Sequence, residues 1–419
     1  MPQEECKEKI LSEEYRDFMM RDTGALGEKF PLENGCRIPL KYGFELLYID
    51  QSEDRKKQLA DYPYTMVPKC YTTLDMAAIQ QAGIAAVQNL TGLELSGEGV
   101  LVGIIDTGIN YLDPIFRNLD GSTRIQRIWD QEEQSGTAPR EIGYGSEYTK
   151  EQINQAILSE NPKETVPSFD TDGHGTFVAS VACGGANPEN LFIGAAPEAE
   201  MVIVKLKEAK EYLREYYFVD RDAGCYQEND LVAAVFYLQK VQEELKRPLV
   251  ICLAVGTSFG GHGGYSILSE YLQNVAASEG IGIVTGSGNE ADKRHHYLGI
   301  LEQENNQPVE INVGNNTRGF VMELWTELPN LLALSIASPT GQTVGPVSLR
   351  RGIGEYVFVF EQTRVILNYR VLVETTGAQL VFFQFDRPGS GIWKIIPETL
   401  ELGNGIFHIW LPMEEFLTG

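Results

Sequence analysis

The chain has 419 residues, 43% of them hydrophobic and 22% charged, with a formal net charge of −25. That length calls for two or three packed units rather than one core. The acidic balance argues against a nucleic-acid partner, because phosphate backbones are met by clustered Lys and Arg, and its plain reading is a solvated acidic surface.

The first region, residues 1–74, opens on MPQEECKEKILSEEYRDF, which is charged where a secretory signal would be apolar. Nowhere does an apolar run reach the roughly 18 residues of a membrane span. SEEYRDFMM has a helical pattern, YGFELLYI reads as a strand and QSEDRKKQLADY as a charged, helix-like stretch. The six cysteines (Cys6, Cys36, Cys70, Cys183, Cys225 and Cys252) are scattered, with neither metal spacing nor a dense disulfide framework. Cys183 and Cys252 lie in apolar segments and read as small core residues. An intracellular or spore-type compartment is expected.

Residues 75–304 alternate apolar strands with amphipathic helices. GVLVGII (99–105), EMVIVKL (200–206), PLVICLAV (248–255) and IGIVTG (281–286) are near-continuous apolar runs, as in strands buried on both faces. NDLVAAVFYLQKVQEELK (229–246) carries Leu231, Val235, Leu238, Val241 and Leu245 along one helical face, and YSILSEYLQNVAAS (265–278) is a second helix. The repetition predicts an α/β fold with a doubly wound, mostly parallel sheet. From 305 to 419 the texture changes to short strands (FVMELW, GEYVFVF, RVILNYRVLVET, LVFFQF, GIWKIIP, GIFHIWLP) between turn signals, which predicts an antiparallel β-sandwich.

Open α/β sheets present ligands beyond the carboxyl ends of their strands, and three polar residues fall there. Asp106 closes GVLVGIID, His174 opens the helix HGTFVASVACGG between two glycines, and Asn289 follows IGIVTGSG. An orienting acid, a general base and an oxyanion donor need these residue types. A helix N-terminus also favours the neutral imidazole that a base requires. Each residue alone is an ordinary loop or turn former; their joint placement at element ends is what points to chemistry.

These residues carry a resemblance. IIDTGI, DGHGTFVA, VGTSFGG and GSGNE look like the aspartate, histidine, substrate-binding and oxyanion blocks of subtilisin-like serine proteases, in the family's order. TRIQRIWDQEEQSG, YGSEYTKEQINQAI and VKLKEAKEYLREYYF narrow it to the Csp-like clostridial germination proteases. The resemblance implies Asp106 as triad acid, His174 as general base, Asn289 as oxyanion donor, and Ser258, Phe259 and Gly260 as the strand edge that pairs with an extended peptide. It implies a small α/β prodomain over residues 1–74, whose end (62–73) runs along that edge, and a jelly-roll insertion over 305–419. It also implies a protein substrate, zymogen processing in a cytoplasmic or spore-associated setting, and no organic cofactor; members of the family bind calcium, but no Asp-rich loop in this sequence commits a metal site.

One part is missing. The family's nucleophile lies in a Gly-Thr-Ser-x-Ala block opening a helix, yet the serines after Asn289 (Ser335, Ser338, Ser348 and Ser390) all fall in the β-rich region. The expectation is a chain lacking its nucleophile, completed by a C-terminal catalytic segment and presenting an uncovered apolar sheet face. Two other readings stand beside it. One is a non-catalytic pseudoprotease that binds peptide or signal. The other is an α/β-hydrolase esterase in which GTSFG (256–260) makes Ser258 the nucleophile, served by His295, His296 or His408 and by Asp292 or Asp386. The esterase leaves IIDTGI and DGHGTF unexplained. Otherwise His295 and His296 read as a solvated loop, and His408 as packed.

Overall fold

The computed structural model describes residues 3–21, 35–52, 58–73, 84, 88, 95–187, 192–301, 307–347, 352–373, 376–401 and 403–418. Its centre is a sheet of five parallel strands in the order Ile281–Thr285, Leu249–Leu253, Leu101–Asp106, Glu200–Lys205, Ile125–Asp130, with Ser146–Thr149 antiparallel at the far edge. Leu101–Asp106 is buried along its whole length, as an uninterrupted apolar run should be. The helices Glu228–Leu245 and Ile267–Ala276 cover one face, where Leu231, Val235, Leu238 and Tyr271 meet Leu101, Ile105, Ile251 and Leu253. The helix His174–Cys183 covers part of the other, setting Val178, Ala179 and Cys183 against Val102, Ile104, Met201 and Ile203. Helices on both faces make this the expected α/β arrangement.

Cover on the second face stops short of one edge. Val284, in register with Cys252, is 57% exposed, and Val250 and Cys252 are only half-buried. Cys252 therefore lines an open face, whereas Cys183 is fully buried.

Ahead of this sheet, Tyr15–Arg21, Phe44–Asp50 and Cys36–Pro39 form a three-stranded antiparallel sheet with Phe44–Asp50 in the middle. SEEYRDFMM is thus largely strand, not helix. Phe18, Met19 and Met20 are all buried, and Met19 joins a different apolar cluster from its two neighbours. Burial on both faces erases the alternation that marks a strand, so tertiary pairing decides. Of the charged stretch 51–62, residues 53–57 lie outside the described residues, and Leu59–Asp61 is a single 3-10 turn. Cys6 and Cys36 form a disulfide between the helix Gln3–Leu11 and the strand Cys36–Pro39, a pairing that scattered spacing did not reveal.

The last part of the chain forms two antiparallel sheets around a common core. One has the order His296–Ile300, Ile406–Trp410, Gly319–Glu327, Ala378–Asp386, Thr363–Arg370, Gly352–Phe358; the other has Val309–Val313, Gly391–Glu401, Leu331–Ala337, Thr343–Val347. Phe320, Met322 and Phe383 of the first meet Leu334, Ile336 and Trp393 of the second. His296–Ile300 pairs with Ile406–Trp410, so the β-rich part begins before residue 305. Among the described residues no helix is long and apolar enough to cross a membrane.

Candidate active site

The chain first builds outward on one side of Leu101–Asp106 and then crosses to Leu249–Leu253 on the other. That reversal opens a crevice at the carboxyl ends of these two strands. Asp106 is the last residue of the first, with no solvent exposure. His174 is the first residue of the helix that packs on this strand, and its Nδ1 lies 2.7 Å from Asp106 Oδ1. Because a carboxylate only accepts, the ring donates Nδ1–H to it. Asp106 Oδ1 also accepts the Thr107 N–H at 2.7 Å, while Oδ2 is buried without a hydrogen-bond partner in the structure. Burial therefore pushes the Asp106 carboxyl up, against the opposing pull of His174 and the Thr107 amide.

The two glycines around His174 now have separate reasons. Gly173 caps the helix with φ 96°, a left-handed conformation that glycine adopts without penalty. Gly175 lies against the turn after Asp106: a Cβ there would stand 2.3 Å from Gly108 O and 2.9 Å from Gly108 N. Only a residue without a side chain lets the histidine helix approach the aspartate strand so closely.

Thr107 and Asp170, which the sequence reading passed over, fix that approach. Thr107 Oγ1 accepts the Gly175 N–H at 2.8 Å and donates to Asp170 Oδ1 at 2.9 Å. Asp170 also accepts the Gly173 N–H at 2.8 Å and, through Oδ2, both the N–H (2.8 Å) and the hydroxyl (2.6 Å) of Thr176. It thereby satisfies amides that a helix start leaves open; the available signal was an aspartate preceding GHGT. Burial alone would raise the Asp170 carboxyl, but the bonds from Thr176, Gly173 and Thr107 outweigh it and hold it below its ordinary 3.8. A carboxylate with a depressed folded pKa contributes stability that is complete above the unfolded value and fades as pH falls through the folded one. Urea titrations of the parent chain are therefore expected to lose stability below about pH 3.8, and Asp170→Asn should lack that component. An identical acid limb in the variant would remove Asp170 from this role.

Asn289 is half-buried in the loop after Ile281–Thr285, just past Gly288 with φ 91°. Beside it lies a pocket of about 550 Å³, walled by Gly256, Thr257 and Ser258 on one side and Gly286, Ser287 and Gly288 on the other. Trp410 and Met413 from the β-rich part also line it. His295 pairs with Glu290 at 2.6 Å, and the His296 ring stacks on Trp410 at 3.7 Å while its Nε2 meets His408 Nδ1 at 2.9 Å. These histidines are therefore not a free solvated loop; they fasten the Asn289 loop to the strand Ile406–Trp410.

A short antiparallel ladder lies just ahead of Ser258–Gly260. Val255–Gly256 pairs with Thr73 and Thr72 of the N-terminal segment, and Cys70 and Tyr71 pair with Gln227 and Tyr226. Cys70–Thr73 is thus the middle strand of a three-stranded antiparallel sheet, held between Val255–Gly256 and Tyr226–Gln227. Ser258, Phe259 and Gly260 lie past this ladder: Ser258 lines the pocket, Phe259 stacks on Tyr217 at 4.9 Å, and the Gly260 N–H donates to Glu323 Oε2 at 3.0 Å. The next helix begins only at Ile267, and Ser258 is not among the residues with positive φ. A nucleophile elbow is instead a strained turn leading directly from strand into helix.

Residues 97–317 match the model of the subtilase family, peptidase S8. A stretch of 102 residues is 33% identical to the subtilisin-like protease SBT2.2 of Arabidopsis thaliana, covering 22% of this chain and 12% of that protein. Over 218 residues the chain is 25% identical to a subtilisin of Bacillus sp. (strain TA39), covering 51% of this chain and 40% of that protein. Among solved structures, the CspB protease of Clostridium perfringens superposes with a TM-score of 0.67 at 29% identity, over 78% of this chain and 66% of that one. The chain thus spans less than half the length of the curated relatives it matches.

Proposed function

The chain belongs to the subtilase family, and on that premise we propose that it supplies the acid, the base and the oxyanion donor of a Csp-like serine endopeptidase. The observation that carries this is the 2.7 Å contact between His174 Nδ1 and a fully buried Asp106 at the mouth of the crevice. With Nδ1 committed to Asp106, Nε2 takes the proton from a serine hydroxyl as the hydroxyl oxygen attacks the scissile carbonyl. Asp106 holds the ring and stabilises the imidazolium that forms. Asn289 donates to the oxyanion, a role that elsewhere is worth roughly 3–4 kcal/mol of barrier. The serine itself comes from sequence outside residues 1–419. The open apolar face around Val284 and Cys252, where a further helix would pack, supports this reading.

Residues 1–74 act as the prodomain. Their last strand, Cys70–Thr73, occupies the slot where an extended substrate adds a strand, so the first bond cut lies downstream of Thr73. Residues 305–419 are a jelly-roll-type insertion that braces both. Glu323 supports that role: fully buried, it accepts from Tyr64 OH of the N-terminal segment at 2.5 Å, Gly260 N–H of the cleft at 3.0 Å and Trp325 Nε1–H at 2.9 Å. The substrate is a protein, and by resemblance its processing belongs to spore germination, in a cytoplasmic or spore-associated compartment. The chemistry calls on no organic cofactor or metal.

Co-expressing the chain with a segment that carries a Gly-Thr-Ser-x-Ala block is expected to give self-cleavage downstream of Thr73, abolished by His174→Ala. Cleavage that survives His174→Ala would contradict the assignment of the base. Peptide binding by the completed protein without any cleavage would favour a pseudoprotease instead.

A further inference from the structure

Cys70 and Cys225 belong to opposite sides of the occupied cleft. Cys70 begins the N-terminal segment's last strand, and Cys225 immediately precedes Tyr226–Gln227, one of the two edges that hold it. The ladder pairs Cys70 with Gln227 and Tyr71 with Tyr226; continuing that register sets Cys225 opposite Thr72, on the same face as Cys70 and diagonal to it. Both side chains are fully buried in one apolar cluster with Leu213, Tyr217 and Phe259. Both are free thiols. No catalytic role proposed above uses either of them.

We propose that Cys70 and Cys225 are the two halves of an oxidisable cross-link that fastens the inhibitory strand to the wall of the cleft. The cross-link stands on the juxtaposition of the two thiols. Its consequence as a latch rests on the reading of Cys70–Thr73 as the cleft's occupant. The oxidant is a low-molecular-weight disulfide such as oxidised glutathione. One cysteine thiolate attacks it, releasing the first glutathione thiol; the second cysteine then attacks the mixed disulfide and releases the other. Two protein thiols become one disulfide, and one small disulfide becomes two small thiols.

The surroundings set the behaviour of this pair. Burial pushes the Cys70 thiol well above its ordinary range, with Arg214 opposing, and the thiolate is the reactive form. Exchange is therefore slow while the strand is seated, and starts when the ladder of two residue pairs opens. Diagonal neighbours begin about an ångström outside the usual disulfide window, so closure draws the short strand inward. Once made, the bond is shielded from reductant by the burial that slowed its formation. The N-terminal segment already carries one disulfide, Cys6–Cys36.

The test is to incubate the 419-residue chain with oxidised glutathione, alkylate the remaining thiols and map the peptides without reduction. A peptide pair joining Cys70 to Cys225 is expected, lost in Cys70→Ala and in Cys225→Ala, while Cys183 stays unlinked. Recovery of Cys70 and Cys225 separately alkylated, or as separate glutathione adducts, from a chain with unchanged circular dichroism would overturn the cross-link. A labelled peptide of sequence MVPKSYTT, matching residues 66–73 with Ser for Cys70, then reports on the cleft. The second tether raises the strand's effective concentration, so the oxidised chain should bind this peptide at least about tenfold more weakly than the reduced chain. A linked chain that binds the peptide as well as the reduced one would overturn the latch and the occupancy reading together, independently of whether the link forms.

Discussion

Asp17→Ala is expected to lower the unfolding free energy by about 3–5 kcal/mol, the usual cost of stripping one partner from a buried ion pair. Asp17 sits in the N-terminal strand Tyr15–Arg21 with no solvent exposure, and it pairs with Lys210, which is 3% exposed. Its Oδ2 also accepts from Gln227 Nε2 at 3.1 Å and Asn229 Nδ2 at 3.2 Å. A second buried pair, Lys207 with Asp230 at 2.6 Å, lies alongside and makes the four charges neutral together. Alanine leaves a net buried cation, and burial already pulls Lys210 below its ordinary range even with Asp17 present. Urea unfolding at neutral pH measures the change. Asp17→Leu combined with Lys210→Met should recover most of it, because apolar replacements of a whole buried pair are often near neutral. A single-variant loss below about 1 kcal/mol, the scale of an exposed pair, would show that this cluster is solvated.

Asp106→Asn in the chain completed by its serine segment is expected to lower kcat about 10⁴-fold with KM little changed, as the same change does in other triad enzymes. Asp106 Oδ1 is bonded both to His174 and to the Thr107 amide, so an asparagine keeps its carbonyl there and sets its NH₂ at the Oδ2 position, which has no hydrogen-bond partner. The ring is then held by a neutral group, and the imidazolium that forms loses the carboxylate that stabilises it. Because Asp106 is buried and touches no substrate, the loss should appear in the chemical step. A loss of under about tenfold would mean that His174 is oriented by something other than Asp106.

The sequence made the central layer legible because its strands are uninterrupted apolar runs and its helices carry one apolar face. Asp106 and His174 were readable because glycine-rich blocks at element ends are rare and occur here in order. What escaped detection depended on contacts between distant segments. Thr107 and Asp170 meet, and Thr107 reaches Gly175, through bonds that span 63 and 68 residues of chain, which an aspartate ahead of GHGT does not by itself announce. VGTSFGG fixes a block but not its register, and the pairing of Thr72 and Thr73 with Gly256 and Val255 depends on a segment far away in sequence. Tyr15–Arg21 looked helical because it is buried on both faces. Trp410 joined the pocket beside Asn289 only through pairing of His296–Ile300 with the chain's last strand.

The most direct test of the account is to expose the purified 419-residue chain to a fluorophosphonate probe, which labels a serine activated by a neighbouring base. His174 and Asp106 are assembled here, but the serine they serve is assigned to other sequence. The expected result is no label, no change on Ser258→Ala, and labelling that appears when the serine-bearing segment is supplied and disappears with His174→Ala. Labelling of the chain alone that is lost in Ser258→Ala would contradict the account and make Ser258 the nucleophile.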